Sequence, residues 1–172
     1  GAVPLHGVVH GCCDLSGPPW GLVFCDPFAE EKKCSQRVLV EAARVFCAAN
    51  VGCLRFDYRG TGDSLGEFMD AGPEEWVEDL LAAARFAREA LEVEKLGLVG
   101  LRLGAGIALR ALAAGEGGDF LILWEPVLDG KQFMAQNLRR SMIKAMLTKG
   151  EEFEAEAVRE AHAGEVFDFD GY

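Results

Sequence analysis

Lys95-Leu-Gly-Leu-Val-Gly100-Leu-Arg102-Leu-Gly104-Ala-Gly-Ile-Ala-Leu-Arg-Ala-Leu-Ala-Ala114 is the stretch whose reading decides the fold. Lys95 to Gly100 is a short apolar run and predicts a buried strand. Leu103 to Ala114 is rich in small residues and predicts a helix. Only Leu101 and Arg102 separate the two, so the chain must turn sharply between them. Gly100 and Gly104 stand two residues either side of Arg102, where missing side chains allow a tight bend and close packing. Such a bend carries its central residue, Arg102, to the mouth of the sheet.

Working outward, the same alternation recurs on both sides. Gly21 to Cys25 is an apolar run that predicts a strand, ended by Asp26-Pro27. A helix is predicted from Ser35 to Asn50, with Ser35 as N-cap and Val38, Ala42, Val45, Phe46 and Ala49 on one face. Val51 to Tyr58 predicts a further strand, followed by a turn at Arg59-Gly-Thr-Gly62. Gly72-Pro73 opens the next helix. Glu74 and Glu75 suit its positive end, and Trp76, Leu80, Ala84, Ala87 and Leu91 form its apolar stripe. Phe120 to Glu125 predicts another strand, stopped by Pro126, and Leu5 to His10 an additional one near the N-terminus. Strands alternating with helices give an α/β class: a three-layer sandwich around a mostly parallel sheet of about five strands.

After Lys131 the pattern changes. Lys131 to Thr148 and Glu151 to Ala163 read as charged, amphipathic helices, and Val166 to Tyr172 as a short terminal strand. The expected division is therefore a core over residues 1–130 and a C-terminal helical segment over 131–172, a lid or an edge cover. A sheet that stops after Phe120–Glu125 has an open edge, which pairs, is covered or aggregates. A homodimer through that edge is one expectation.

Composition narrows the function classes. The 172 residues are 50% hydrophobic and 26% charged, as in a globular domain able to bury a core. A formal net charge of −11 opposes binding to nucleic acid or to anionic membrane surfaces. No apolar stretch reaches the length of a membrane helix, and no basic region precedes an apolar one at the N-terminus. The expectation is a cytoplasmic protein with reduced thiols. Its six cysteines, Cys12, Cys13, Cys25, Cys34, Cys47 and Cys53, form no C-x-x-C pair, and Cys25, Cys47 and Cys53 sit in apolar runs.

Three motifs carry a family resemblance. Phe56-Asp-Tyr-Arg-Gly-Thr-Gly-Asp-Ser64 resembles the D-x-R-G-x-G-x-S loop after the fourth strand of many α/β-hydrolases. Pro27-Phe-Ala-Glu-Glu-Lys32 is similar to the oxyanion loop of exosortase-associated hydrolases, a branch related to the serine-aminopeptidase-like group. Gly100-Leu-Arg-Leu-Gly104 stands where such proteins carry G-x-S-x-G, the nucleophile elbow. Together the motifs span residues 20–130, in the right order on the right elements. The resemblance implies an α/β-hydrolase core, with an acid after a seventh strand and a His after an eighth. Those strands have no counterpart after Phe120–Glu125, so the core is expected to lack them. The histidines are His6, His10 and His162: two precede the elbow, and the third lies in a charged helical stretch.

The residue at the elbow then governs the functional reading. A guanidinium stays protonated and offers no lone pair for nucleophilic attack. Arg102 is suited instead to hold a carboxylate or phosphate beside backbone N–H groups. It is equally suited to a structural ion pair with Glu30 or Glu31, and the ion pair weighs more, because such pairs form in clefts without function. The degenerate elbow is thus Gly100, Arg102, Leu103 and Gly104, with no confident catalytic residue. The candidate ligand-binding residues are Arg102, Leu103, Phe28, Glu30 and Glu125, the last an acid at the carboxyl end of its strand.

Other constellations weigh less. His6, His10, Cys12 and Cys13 match no standard zinc spacing, so neither a metal nor a cofactor is expected. Cys25 lacks a neighbouring base and reads as a buried structural thiol. Asp57 and Arg59 are expected to fix their loop, and Asp63 and Ser64 to make local turn hydrogen bonds. The leading expectation is a hydrolase-like protein without independent serine-hydrolase activity, taking a small anionic or acyl ligand. One alternative is an ester, thioester or peptide acyl hydrolase completed by a partner chain or a further segment. The other is a homo-oligomeric interaction module.

Overall fold

The computed structural model describes residues 3–11, 20–115 and 117–149. Gly1–Pro126 and Val127–Tyr172 form two compact units. In the first, β1 (Gly7–His10), β2 (Trp20–Cys25), β3 (Gly52–Phe56), β4 (Lys95–Leu101) and β5 (Phe120–Trp124) make one sheet in the order β1-β3-β2-β4-β5. β1 runs antiparallel to β3, and every other neighbouring pair is parallel. β2 and β4 are buried along almost their whole length, which is why their sequences are continuous apolar runs without alternation.

Helix α1 (Glu30–Ala48) connects β2 to β3, α2 (Pro73–Leu91) connects β3 to β4, and α3 (Leu103–Ala113) connects β4 to β5. Two clusters of buried side chains make the layers. Val23, Leu54, Leu96 and Leu98 pack with Leu80, Ala84 and Ala87 of α2 and Ile107 and Ala111 of α3. Leu22, Phe24, Cys53 and Val99 pack with Leu39 and Ala43 of α1. The sandwich is thus α1, sheet, then α2 with α3. The predicted stripe of α2 is buried at all its positions, and Pro73 stands at the start of the helix.

Helix α1 differs from expectation. It begins at Glu30 instead of Ser35, and its N-cap is Ala29, at φ 47° and ψ −122°, with no side-chain cap. Ser35 lies inside the helix, where its hydroxyl donates to the Lys32 carbonyl. Glu30-Glu31-Lys32-Lys33 are good helix formers, and two acids in the first turn favour the positive end of the dipole. The buried face follows Leu39 and Ala43 with Ala42 and Phe46 beside them, while Val38 and Val45 are exposed. The buried face is therefore centred on Leu39 and Ala43, about one residue from the expected stripe.

The second unit contains α4 (Gly130–Lys149), which covers the predicted helix 131–148. Asp129 caps it, accepting from the Gln132 N–H. The expected helix at 151–163, the strand at 166–172, Cys12, Cys13 and His162 lie outside the described residues. No helix among the described residues is long and apolar enough to cross a membrane.

Candidate functional site

The chain leaves β2 toward β3 on one side and leaves β4 toward β5 on the other. The strand order therefore reverses between β2 and β4, and open α/β sheets form crevices at the carboxyl ends of such strands. Arg102 sits there, at the apex between β4 and α3. Its φ of 54° and ψ of −118° are a conformation few side chains adopt. The glycines explain how so abrupt a bend packs. A Cβ on Gly104 would collide with the carbonyl oxygens of Cys25 and Asp26, and one on Gly100 with the backbone of Ala105. Ala29, after β2, and Glu125, after β5, also have positive φ, 47° and 49°. Two of these three residues, Arg102 and Glu125, line one crevice, and backbone strain is often found at functional sites.

The Arg102 guanidinium is held by Glu31 of the first turn of α1. Nε lies 3.3 Å from both carboxylate oxygens and Nη2 lies 3.1 Å from Oε1. Nη1 is 3.4 Å from the carbonyl oxygen of Glu125. Side-chain exposure is 27% for Arg102 and 17% for Glu31, so the pair is partly withdrawn from water. A cavity of about 300 Å³ opens over the pair. Pro27, Val38, Leu101 and Trp124 give it apolar walls, and Cys34, Ser35 and Glu125 add polar groups.

The other candidates are distributed differently. Glu30 is turned to the surface and pairs with Lys33 at 3.8 Å. Glu125 meets Arg102 through its backbone carbonyl. Phe28 stacks against Phe68 and Trp76, with centroids 5.8 and 6.1 Å away, and Leu103 packs against the same side of the core. Neither lines the cavity, because each side chain leaves its turn toward the α2–α3 layer. Burial and the neighbouring Asp26 carboxylate push the Cys25 thiol far above the ordinary range, which makes it inert.

Sequence reasoning missed a second group of residues beside the crevice. Lys32, only 13% exposed, lies 3.3 Å from Asp26 Oδ2 and 2.5 Å from Asp57 Oδ1, and donates to Thr61 Oγ1 at 3.1 Å. Its position in a Glu-Glu-Lys-Lys run reads as a solvated helix face. The signal lay in register: Phe24 faces Arg55 on parallel strands, so Asp26 and Asp57 emerge side by side, and two adjacent buried carboxylates need a cation. Burial raises the Asp26 carboxyl above its ordinary value, and Lys32 only partly opposes this. Burial acts the same way on Asp57, but hydrogen bonds from Lys32, the Asp63 N–H and His6 outweigh it and hold that carboxyl low.

His6, Asp57 and Asp63 bring ligand-type atoms within 4.8 Å of one another, beside the Lys32 ammonium on Asp57. His10 is elsewhere. It accepts from Arg55 Nε at 3.2 Å, and burial together with Arg55 and Arg44 lowers its pKa. Ser64 makes the expected contact within its loop, donating to the Asp57 carbonyl, and also accepts from the N–H of His6, far away in the chain. Arg59 reaches further than its own loop, to the buried Asp79 of α2 at 2.7 Å.

No family model matches the chain. An uncharacterised 31.7 kDa protein of Escherichia coli is 28% identical over 101 residues, 58% of this chain and 35% of that one. Among solved structures, an α/β serine hydrolase without a lid from Xanthomonas campestris superposes with a TM-score of 0.59 at 30% identity, over 70% of this chain and 55% of that one. An esterase from Pyrococcus furiosus gives a TM-score of 0.63 at 18% identity, over 97% and 59%. A serine hydrolase homologue from Coxiella burnetii gives 0.61 at 20% identity, over 77% and 62%. The chain belongs to the α/β-hydrolase superfamily. It spans 55–62% of the length of these solved hydrolases. In α/β-hydrolases a sharp strand-to-helix bend of this kind carries the nucleophile.

Proposed function

We propose that this α/β-hydrolase-like protein does not form an acyl-enzyme at its elbow and instead holds a small acyl ligand in the cavity above it. One observation carries the reading: the apex of the bend bears Arg102, whose guanidinium is engaged by Glu31. A protonated guanidinium has no lone pair with which to attack a carbonyl, so the step that defines a serine hydrolase has no starting group at this position. The ligand class follows from the lining. Trp124, Val38 and Leu101 suit a short apolar chain, and Arg102 is a hydrogen-bond donor for a carbonyl or carboxylate head. Glu31 already neutralises the guanidinium, so a free anion must compete with it. A neutral acyl head is therefore favoured over phosphate.

The test is incubation of the protein with a fluorophosphonate probe and a p-nitrophenyl ester, alongside titration of short acyl compounds followed by tryptophan fluorescence. The expected result is no covalent labelling, no turnover, and a saturable fluorescence change that Arg102→Ala abolishes. Labelling of any residue lining the cavity would overturn the proposal.

A further inference from the structure

We propose that His6, Asp57 and Asp63 form a binding site for one divalent transition cation of the zinc type, where β1 begins and β3 ends. Strand register brings these residues together. Gly7 pairs with Phe56 across the antiparallel β1–β3 ladder, so His6 and Asp57 leave the same end of it side by side. The Asp57 N–H donates to the His6 carbonyl at 2.9 Å, and the His6 N–H donates to Ser64 Oγ at 2.8 Å. The His6 backbone is thus tied on both sides to the loop that carries the two carboxylates. Its Nδ1 lies 3.4 Å from Asp57 Oδ2 and 3.9 Å from Asp63 Oδ2. Donors on a tetrahedral zinc ion, with bonds of about 2.0–2.2 Å, stand about 3.4 Å apart. The first distance matches, and Asp63, with its side chain 83% exposed, closes the second by a small rotation.

A cavity of about 90 Å³ opens against these donors, and its polar lining is His6, Asp26, Gln36, Arg55, Asp57 and Asp63. It has room for an ion with a few waters and is too small for an organic ligand. It shares no lining residue with the Arg102 cavity, and the site is independent of the chemistry proposed there. The surrounding charges leave a place for a cation. Three carboxylates, Asp26, Asp57 and Asp63, face two side-chain cations, Lys32 and Arg55. Lys32 bridges Asp26 and Asp57 through Asp57 Oδ1, which leaves Oδ2 turned to His6 and Asp63. That oxygen accepts the Asp63 N–H at 3.1 Å, which fixes its direction and keeps a second lone pair for a metal. Arg55 turns its Nε to His10. Among the described residues Asp63 pairs with no lysine or arginine, so one negative charge stays uncompensated beside the imidazole. One imidazole nitrogen with two carboxylate oxygens suits zinc better than magnesium or calcium, which prefer oxygen alone, and water completes the coordination.

The test is calorimetric titration of Zn²⁺ into the protein after its accessible thiols, Cys34 among them, are alkylated with iodoacetamide. One equivalent should bind, and an excess of Mg²⁺ should not displace it. His6→Ala and Asp63→Ala each change a side chain open to water, so both variants should keep the native circular dichroism spectrum. Each should weaken zinc binding at least about tenfold, since even the loss of an outer-shell partner costs a metal site that much. His10→Ala, at the other end of β1, should bind zinc as the native protein does. Absence of saturable binding, displacement by Mg²⁺, or a loss short of about tenfold in either His6→Ala or Asp63→Ala would overturn the proposal.

Discussion

Replacing Lys32 by Met should destabilise the fold sharply at neutral pH and much less in mild acid. The ammonium is the shared partner of Asp26 and Asp57, whose side chains are 11% and 18% exposed. Met keeps the length and apolar stem of Lys, so the change removes the charge and little packing. Two carboxylates are then left side by side without their cation. Breaking a buried pair by deleting one partner costs about 3–5 kcal/mol. With a urea m-value of about 2 kcal/mol/M for a domain of this size, the unfolding midpoint should fall by roughly 2 M.

The pH dependence follows from the two carboxyls. Asp57 is held below its ordinary value, so its contacts stabilise the fold above the unfolded carboxyl range, about pH 4, and that contribution fades as pH falls through the lower folded value. Asp26 is raised, so its ionised form costs stability at neutral pH, and that cost is relieved as pH falls through the raised value. Without Lys32 both carboxyls rise, protons bind more readily in the folded state, and the penalty shrinks in acid. Urea melts of both proteins at pH 7 and pH 5 should show the midpoint difference narrowing by about half. A penalty under about 1 kcal/mol, the usual limit for an exposed pair, or one that widens in acid, would refute the reasoning.

Three further outcomes are expected. Glu31→Gln keeps the shape but removes the charge that neutralises Arg102, so hexanoate should bind about tenfold more tightly by tryptophan fluorescence, with a stability loss of about 1–3 kcal/mol in urea. Gly104→Ala should destabilise by about 3 kcal/mol or prevent folding, as read by circular dichroism, because the new methyl meets two backbone carbonyls that cannot yield. Under limiting iodoacetamide, peptide mapping should find Cys34 alkylated well before Cys25. The first thiol is exposed at the cavity, while burial holds the second protonated.

The sequence by itself determined the order of elements and the bend. Apolar runs with no alternation marked β2 and β4, because both faces of a central parallel strand are covered. Gly100 and Gly104 marked the close approach, because only a missing side chain permits it. Arg102 at the apex followed from those two facts. Which acid meets Arg102 was decided by the tertiary structure alone. Glu30 and Glu31 are adjacent in the chain, and about 100° of helical rotation sends one to water and the other to the guanidinium. That rotation depends on where α1 starts, and Ala29 sets the start through a backbone conformation that nothing in its residue type announces. Phe28 and Lys32 eluded the sequence for the same reason: periodicity describes a side chain's place on its own element, whereas a site is made where several elements end together.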